Sequence, residues 1–207
     1  MTSWRAERLA VVDIETTGLD PARHEVLSVG VVDIVGGRVQ VGSAWYREVR
    51  PRVAPTADTV VVHGIRPADS ARGDDPATVA AEVAARLDGR RLVAHVARIE
   101  TAFLGSWLED GRWRPALGVI DTDVLARRHL LRARGMRLDQ HIGLGAAAGL
   151  FGLPEHARHH ALGDALTTAQ LLLALASSWP DGDPSGDQLA RASRRLPGRV
   201  LDRVLGR

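Results

Sequence analysis

A chain of 207 residues with 45% apolar residues is long enough to bury one substantial core, and we expect one domain with a small appendage. Its formal net charge of +2 does not by itself indicate a polyanionic partner. The sequence contains no cysteine, which excludes disulfides, thiolate catalysis and cysteine metal sites. No apolar run reaches the roughly 18 to 20 residues that span a bilayer, so we expect a cytoplasmic protein with no membrane partner.

The first fifty residues contain three apolar, β-branched runs, at residues 9–14, 26–35 and 39–46, which predict β-strands. The pair Gly36-Gly37 separates the last two runs and predicts a hairpin turn. Apolar periodicity further along the chain predicts short strands at 91–95 and 117–120, and helices at 76–87, 99–108, 121–131, 139–150 and 161–179. Strands mixed with helices in this order indicate an α/β layer fold.

The C-terminal part of the chain differs in composition from the rest. Residues 180–187 are rich in Pro, Gly and Asp and predict a linker, which divides a domain at 1–179 from a tail at 188–207. The tail carries six arginines against one acid, with leucine and valine between them. Two interpretations stay open: a short helical hairpin that packs back on the domain, or a segment that docks on a partner protein or on nucleic acid.

Two carboxylates stand at the end of the first predicted strand. Asp13 and Glu15 are two positions apart, so an extended backbone directs both side chains to the same face. Neighbouring carboxylates repel unless a cation or a set of hydrogen-bond donors lies between them, and a divalent metal is the simplest such partner. The alternative is a pair of solvated acids before a turn that closes at Gly18.

Two further acids occupy positions where an acid is unexpected. Glu100 lies at helical spacing from Phe103 and Leu104, on the apolar stripe of its own helix. Asp164 is placed near the start of the last long helix, and His159 precedes it by five residues. A carboxylate that faces a core needs a partner, and a histidine at a helix entrance can lie close to the acid that follows it.

The four carboxylates and the histidine together indicate a reaction. Hard oxygen ligands in such numbers favour two Mg²⁺ or Mn²⁺ ions over zinc. Two such ions can stabilise the attacking and the leaving oxygen of a phosphodiester, and an imidazole can take the proton of the attacking water. The residues predict metal-dependent phosphodiester hydrolysis.

Five motifs in this order resemble the DEDDh 3′-5′ exonucleases, a family that includes the proofreading epsilon subunit of bacterial DNA polymerase III, RNase T and the oligoribonucleases. The resemblance covers about residues 8–178. It rests on Val-Val-Asp-Ile-Glu-Thr-Thr-Gly-Leu at 11–19, Val-His-Gly-Ile at 62–65, the segment 92–104, the segment 121–127, and the spacing of His159 and Asp164.

The resemblance implies an RNase H-like fold with a mixed five-stranded sheet whose second strand is antiparallel. It implies that two Mg²⁺ or Mn²⁺ ions are held by Asp13, Glu15, Glu100 and Asp164, and that His159 acts as general base. Nucleoside 5′-monophosphates would be released from a 3′ end, preferably of single-stranded DNA. The terminal nucleotide would be bound by Thr16, Thr17, Gly18 and Leu19. His63 and His95 are candidates for substrate contact, with packing roles as the alternative.

One motif departs from the family pattern. Where the family has His-Asn-x-x-Phe-Asp, residues 95–100 read His-Val-Ala-Arg-Ile-Glu, so Glu100 replaces the usual aspartate. Two alternatives to a DNA exonuclease therefore stay open: a 3′-5′ exoribonuclease, and a catalytically impaired module that binds nucleic acid or a polymerase. The expected partners are single-stranded DNA or RNA 3′ ends and a DNA polymerase or repair protein, in an oligomeric state that the motifs do not define.

Overall fold

The computed structural model describes residues 2–194, and within them five strands form one mixed sheet in the order β3-β2-β1-β4-β5. β1 and β2 are antiparallel, as are β2 and β3, whereas β4 lies parallel to both β1 and β5. This confirms the predicted five-stranded sheet with an antiparallel second strand. The strands are β1 (Arg8–Thr16), β2 (Val26–Val35), β3 (Arg38–Glu48), β4 (Arg91–Ala94) and β5 (Val119–Asp121).

Helices cover both faces of the sheet. In the described residues they are α1 (Ala57–His63), α2 (Pro67–Ser70), α3 (Pro76–Leu87), α4 (Arg98–Trp107), α5 (Thr122–Arg134), α6 (Leu144–Gly149), α7 (Ala161–Ser177) and α8 (Gly186–Ala192). The prediction of α3 at 76–87 is confirmed at both ends. None of these helices is both long and apolar enough to cross a membrane.

The alternation of side chains along β1 places the functional acids. Leu9 and Val11 pack in a core cluster with α5, α6 and α7, whereas Ala10 and Val12 pack in a second cluster with α3 and α4. Asp13 and Glu15 continue the odd-numbered series, so they lie on the face that α7 covers.

A glycine in β2 lets α7 approach the sheet closely at this end. Gly30 pairs with Asp13 across the β1–β2 ladder, and a Cβ atom at Gly30 would overlap with the backbone of Ala161 and Leu162. The first turn of α7 therefore rests directly on the strand beside Asp13, which brings Asp164 towards the end of β1.

The prediction of a helix at 139–150 is wrong in its first half, since α6 begins only at Leu144. The buried carboxylate of Asp123 accepts hydrogen bonds from the Ile142 amide and from His141 Nδ1, both at 2.8 Å. The Ile142 carbonyl accepts another from His95 Nε2, also at 2.8 Å. Contacts to distant side chains thus replace the helical hydrogen bonds that local periodicity predicted.

Part of the predicted linker and tail packs on the domain. The Trp4 amide donates to the Pro184 carbonyl at 2.9 Å, and Arg91 pairs with Glu7 at 2.7 Å and with Asp187 at 2.8 Å. Leu189 of α8 is fully buried in the core cluster that Leu9 and Val11 form with α5, α6 and α7. The helix therefore begins inside the predicted linker, at Gly186. The tail beyond residue 194 lies outside the described residues, and the division into domain, linker and tail stays a prediction.

Candidate active site

Three of the four predicted carboxylates meet at one place. Oxygen atoms of Asp13 and Glu15, on β1, and of Asp164, in the first turn of α7, all lie within 4.8 Å of one another. Two features bring these acids together: the alternation of side chains along β1, and the close approach of α7 to the sheet at Gly30. Its donor atoms are all carboxylate oxygens, which suit a hard divalent cation.

Glu100 lies beside this group without joining it at that distance. It stands in the first turn of α4 and is only 5% exposed, and its Oε2 atom has no hydrogen-bond partner among the described residues. Burial raises its pKa to about 8, and the charges of Asp121 and Glu15 act in the same direction. A buried carboxylate oxygen with no partner is the arrangement that a bound cation would satisfy.

All four carboxylates hold their protons more tightly than exposed acids do. Burial is the main cause for Asp13, whose pKa is also raised by the charges of Glu100, Glu15 and Asp164. Burial and the charge of Asp164 raise the pKa of Glu15 to about 7, and burial raises the pKa of Asp164 as well. The charges of His159, Arg158 and His160 act in the opposite direction at Asp164. The remaining concentration of negative charge fits Mg²⁺ or Mn²⁺.

His159 is tied to this cluster through its backbone. Its amide donates a hydrogen bond of 2.9 Å to Oδ2 of Asp164, and its φ of 54° is in the left-handed region. The residue is exposed, so its imidazole is open to solvent and to a substrate. The adjacent His160 instead stacks on Tyr46, with ring centroids 4.4 Å apart. This difference favours His159 over His160 as the base.

The loop after β1 has the features of a substrate cradle. Thr16 donates its hydroxyl to the Gly18 carbonyl at 2.7 Å, and the buried Thr17 exchanges two hydrogen bonds with the backbone of Glu25. A Cβ atom at Gly18 would overlap with the ring of His24, so a larger residue there would require the His24 side chain to move. Leu19 at the tip is 79% exposed, although leucine is apolar. The loop is rigid at its base and presents one apolar side chain to solvent.

The two candidate histidines outside the carboxylate motifs differ in environment. His63 accepts a hydrogen bond from the Ile65 amide on Nδ1, while its Nε2 is buried without a partner in the described structure. Burial and the charge of the nearby His159 lower its pKa. His63 therefore directs a polar atom with no partner into the region of the base.

His95 has both ring nitrogens engaged within the fold. Nδ1 lies 2.9 Å from Thr122 Oγ1, and Nε2 donates to the Ile142 carbonyl. Burial lowers its pKa, and no nitrogen is left to contact a substrate. The geometry therefore supports the packing role rather than the substrate contact.

Asp121 holds the backbone turn that leads to Glu100. Its carboxylate accepts the amides of Val96, at 3.2 Å, and Ala97, at 3.0 Å, and so holds the turn between β4 and α4 that positions Glu100. Val96 in this turn has a φ of 62°, which a β-branched residue rarely adopts. In the sequence, Asp121 directly follows the predicted strand at 117–120. Val96 stands where the family pattern has Asn.

Most of the chain resembles proteins that are already known. Residues 10–172 match the model of a family described as exonuclease. The chain is 36% identical over 173 residues to a DNA polymerase III subunit epsilon-like protein of Rhodobacter capsulatus, covering 80% of this chain and 23% of that protein. It is 32% identical over 167 residues to a PolC-type DNA polymerase III of Thermotoga maritima, covering 79% of this chain and 11% of the relative. The chain thus spans less than a quarter of the length of either relative.

The fold is also found in solved structures. Exonuclease I of E. coli in complex with a dT13 oligonucleotide superimposes with a TM-score of 0.71 at 17% identity, over 84% of this chain and 42% of that chain. A zinc-bound complex of the same enzyme with single-stranded DNA gives the same TM-score. At this identity the likeness establishes the RNase H-like fold.

Proposed function

The chain belongs to the exonuclease family, and from this premise we propose that it is a metal-dependent 3′-5′ exonuclease. Its substrate is the 3′ end of DNA, preferably single-stranded, and its products are nucleoside 5′-monophosphates. The observation that carries the proposal is the meeting of Asp13, Glu15 and Asp164 within 4.8 Å beside the partnerless carboxylate of Glu100. Such a group of acids has no structural use that would offset the repulsion within it.

Asp13, Glu15, Glu100 and Asp164 would hold two Mg²⁺ or Mn²⁺ ions. Bound there, the ions would offset the carboxylate charges and stabilise negative charge on the attacking and leaving oxygens of the phosphodiester. The scissile phosphate would lie beside these four acids, which are on β1 and in the first turns of α4 and α7.

His159 takes the proton of the attacking water. Its backbone bond to Asp164 keeps the residue at the cluster, while its exposed side chain is free to reach the water. His63 is a second histidine that can contact the substrate. Because its Nδ1 accepts the Ile65 amide, the proton of the neutral ring lies on Nε2, which can donate to a substrate oxygen.

The loop 16–19 binds the terminal nucleotide. The hydrogen bonds between Thr17 and Glu25 hold the two ends of the loop together. The exposed Leu19 packs against the last nucleobase. The preference for DNA rests on the relatives, which are an epsilon-like protein and a PolC-type DNA polymerase III, and on the single-stranded DNA named in the exonuclease I complexes. The same relatives support a DNA polymerase or repair protein as a partner.

The test is degradation of 5′-labelled single-stranded DNA and RNA of one sequence, with Mg²⁺, with Mn²⁺ and with EDTA. We expect a DNA ladder that shortens from the 3′ end, requires metal and disappears in Asp13→Ala. Asp181→Ala, which removes one exposed carboxylate, is the matched control and leaves the ladder intact.

Other outcomes would overturn parts of the proposal. Faster shortening of the RNA would identify an exoribonuclease. A folded protein that binds the oligomers and cuts neither would indicate the catalytically impaired module, for which Glu100 in place of aspartate is the structural reason.

A further inference from the structure

A large cleft runs along the free edge of the sheet, beside β5. Its volume is about 1140 Å³, and it lies between α4, α5 and α8. Six arginines line it against three aspartates. The arginines are Arg91, Arg98, Arg127, Arg137, Arg191 and Arg194, and the aspartates are Asp121, Asp139 and Asp187. The lining therefore carries a local excess of positive charge that is larger than the +2 of the whole chain.

The arginines divide into paired and unpaired groups. At the floor, Arg91 is bound by Glu7 and Asp187, and Arg127 by Asp123 at 2.7 Å. Three others, Arg98, Arg191 and Arg194, are exposed, and their side chains make no ion pair or hydrogen bond with any part of the chain that the structure describes. The excess charge is therefore free for an anionic ligand.

The size and chemistry of the cleft indicate a polymer bound by its phosphates. Its volume exceeds the roughly 300 to 1,000 Å³ of typical small-molecule sites. Among the described lining residues there is no Phe, Tyr or Trp on which a base could stack. A guanidinium group matches phosphate with two parallel hydrogen bonds. These features suit a sugar-phosphate backbone.

The cleft and the carboxylate cluster share a wall. Ala97, just before α4, and Arg98 of α4 line the cleft, and Glu100 lies on the opposite side of the first turn of the same helix. Asp121 also lines the cleft while it holds that turn in place. Asp121 is also close enough to Glu100 for its charge to raise the pKa of that acid, so this end of the cleft lies beside the carboxylate cluster.

We propose that this arginine-lined cleft is a second nucleic-acid site, which binds backbone phosphates of the substrate strand outside the carboxylate cluster. The proposal rests on the proposed function, since the strand in the cleft is the one whose 3′ end is hydrolysed. The proposal goes beyond that function because it assigns affinity for the DNA strand to arginines that take no part in the hydrolysis.

The test compares two double variants of the full chain. Arg191→Gln with Arg194→Gln removes two charges from the cleft, and Arg38→Gln with Arg72→Gln removes two exposed charges elsewhere, Arg38 being at the opposite edge of the sheet. Binding of a fluorescent single-stranded DNA 20-mer is measured by anisotropy in EDTA over a range of salt concentrations. We expect the cleft variant to bind roughly tenfold more weakly, with a salt slope smaller by about 1.4 for two lost phosphate contacts. The control binds as the wild type does.

Two results would overturn the proposal. One is equal affinity and equal salt slope for the two double variants. The other is displacement of the DNA from the wild type by poly-L-glutamate as effectively as by unlabelled DNA of the same length, which would assign the cleft to an acidic protein. Hydrolysis of the p-nitrophenyl ester of thymidine 5′-monophosphate by the wild type, with Mn²⁺, tests the carboxylate site separately. Absence of hydrolysis would contradict the proposed function, whereas the anisotropy experiment would still show whether the cleft binds DNA.

Discussion

The amide of His159 donates a 2.9 Å hydrogen bond to Oδ2 of Asp164, and the bond closes a turn in which His159 has a left-handed φ of 54°. The candidate base and one candidate metal ligand are therefore parts of a single turn. The charge of His159 also lowers the pKa of Asp164, so a test of either role needs metal affinity and reaction rate measured side by side.

His159→Asn should lower kcat by about 10²- to 10⁴-fold, the usual contribution of a general base. Asparagine tolerates the left-handed conformation, so the turn and the bond to Asp164 are retained. The measurement is steady-state hydrolysis of a labelled oligomer, with Mn²⁺ affinity determined in parallel and expected to be unchanged. His160→Asn is the matched control and should keep most of the activity. An equal loss in both variants would argue against His159 as the base.

Glu100→Gln should weaken Mn²⁺ binding and lower kcat/KM, by an amount on the order of 10²-fold. The amide has the same shape as the carboxylate but carries no charge to hold a cation. Glu100→Asp keeps the charge on a side chain shorter by one methylene and should stay within about tenfold of the wild type in activity. Calorimetric titration with Mn²⁺ and oligomer hydrolysis give the two readouts. Full activity in Glu100→Gln would remove Glu100 from the metal ligands.

The metal-free protein should lose stability as the pH rises from 7 to 9. Burial raises the folded-state pKa of Glu15 to about 7 and that of Glu100 to about 8, above the roughly 4.3 of a glutamate in the unfolded chain. In this range the folded state binds more protons than the unfolded state, so each step upward in pH favours unfolding. Histidines with lowered pKa values, such as His63 and His95, titrate below this window.

Urea unfolding in EDTA at pH 7 and at pH 9 measures this effect. Added Mn²⁺ should restore stability at pH 9, and Glu100→Gln should show a smaller pH dependence than the wild type. A metal-free wild type that is more stable at pH 9 would contradict the assigned burial of these acids.

Val96→Asn should stabilise the protein by about 1 kcal/mol. A β-branched side chain at a φ of 62° is strained by roughly 1 to 2 kcal/mol, whereas asparagine adopts this region more readily. Thermal or urea unfolding gives the difference. Val41→Asn, at an exposed strand position without a positive φ, should be neutral or slightly destabilising. A loss of stability in Val96→Asn, or an equal gain in both variants, would argue against strain at Val96.

Gly30→Ala should reduce both stability and activity, because the added methyl group overlaps with the backbone of Ala161 and Leu162. Overpacking of this kind costs about 1 to 3 kcal/mol, and the displaced first turn of α7 carries Asp164. Gly42→Ala, in β3, has no atom within 4 Å of the added carbon and serves as the control. Unfolding curves and hydrolysis rates should separate the two variants. Equal behaviour would mean that α7 can shift without moving the site.

Much of this architecture follows from local patterns. The parity of β1 alone predicts that Asp13 and Glu15 share a face, and the strand order confirms the sheet that the motifs implied. Glu100 was identified because an acid on an apolar stripe is conspicuous, and it is indeed buried. Their metal-binding and catalytic roles stay predictions.

Features that depend on contacts distant in the sequence could not be predicted in this way. The irregular segment before α6 is held by Asp123 and His95, and α8 is held by Arg91 together with Glu7. No periodicity within either segment encodes those partners. The tyrosine that stacks on His160 is likewise found only once β3 and α7 are side by side.

The pairing of Trp4 with Pro184, and of Glu7 and Asp187 with one arginine, brings the stretches 3–7 and 184–187 together on the surface of the domain. One arginine, Arg91, thus holds both the first residues of the fold and the start of α8. Loss of Arg91 should therefore release these two segments together, although they lie far apart in the sequence.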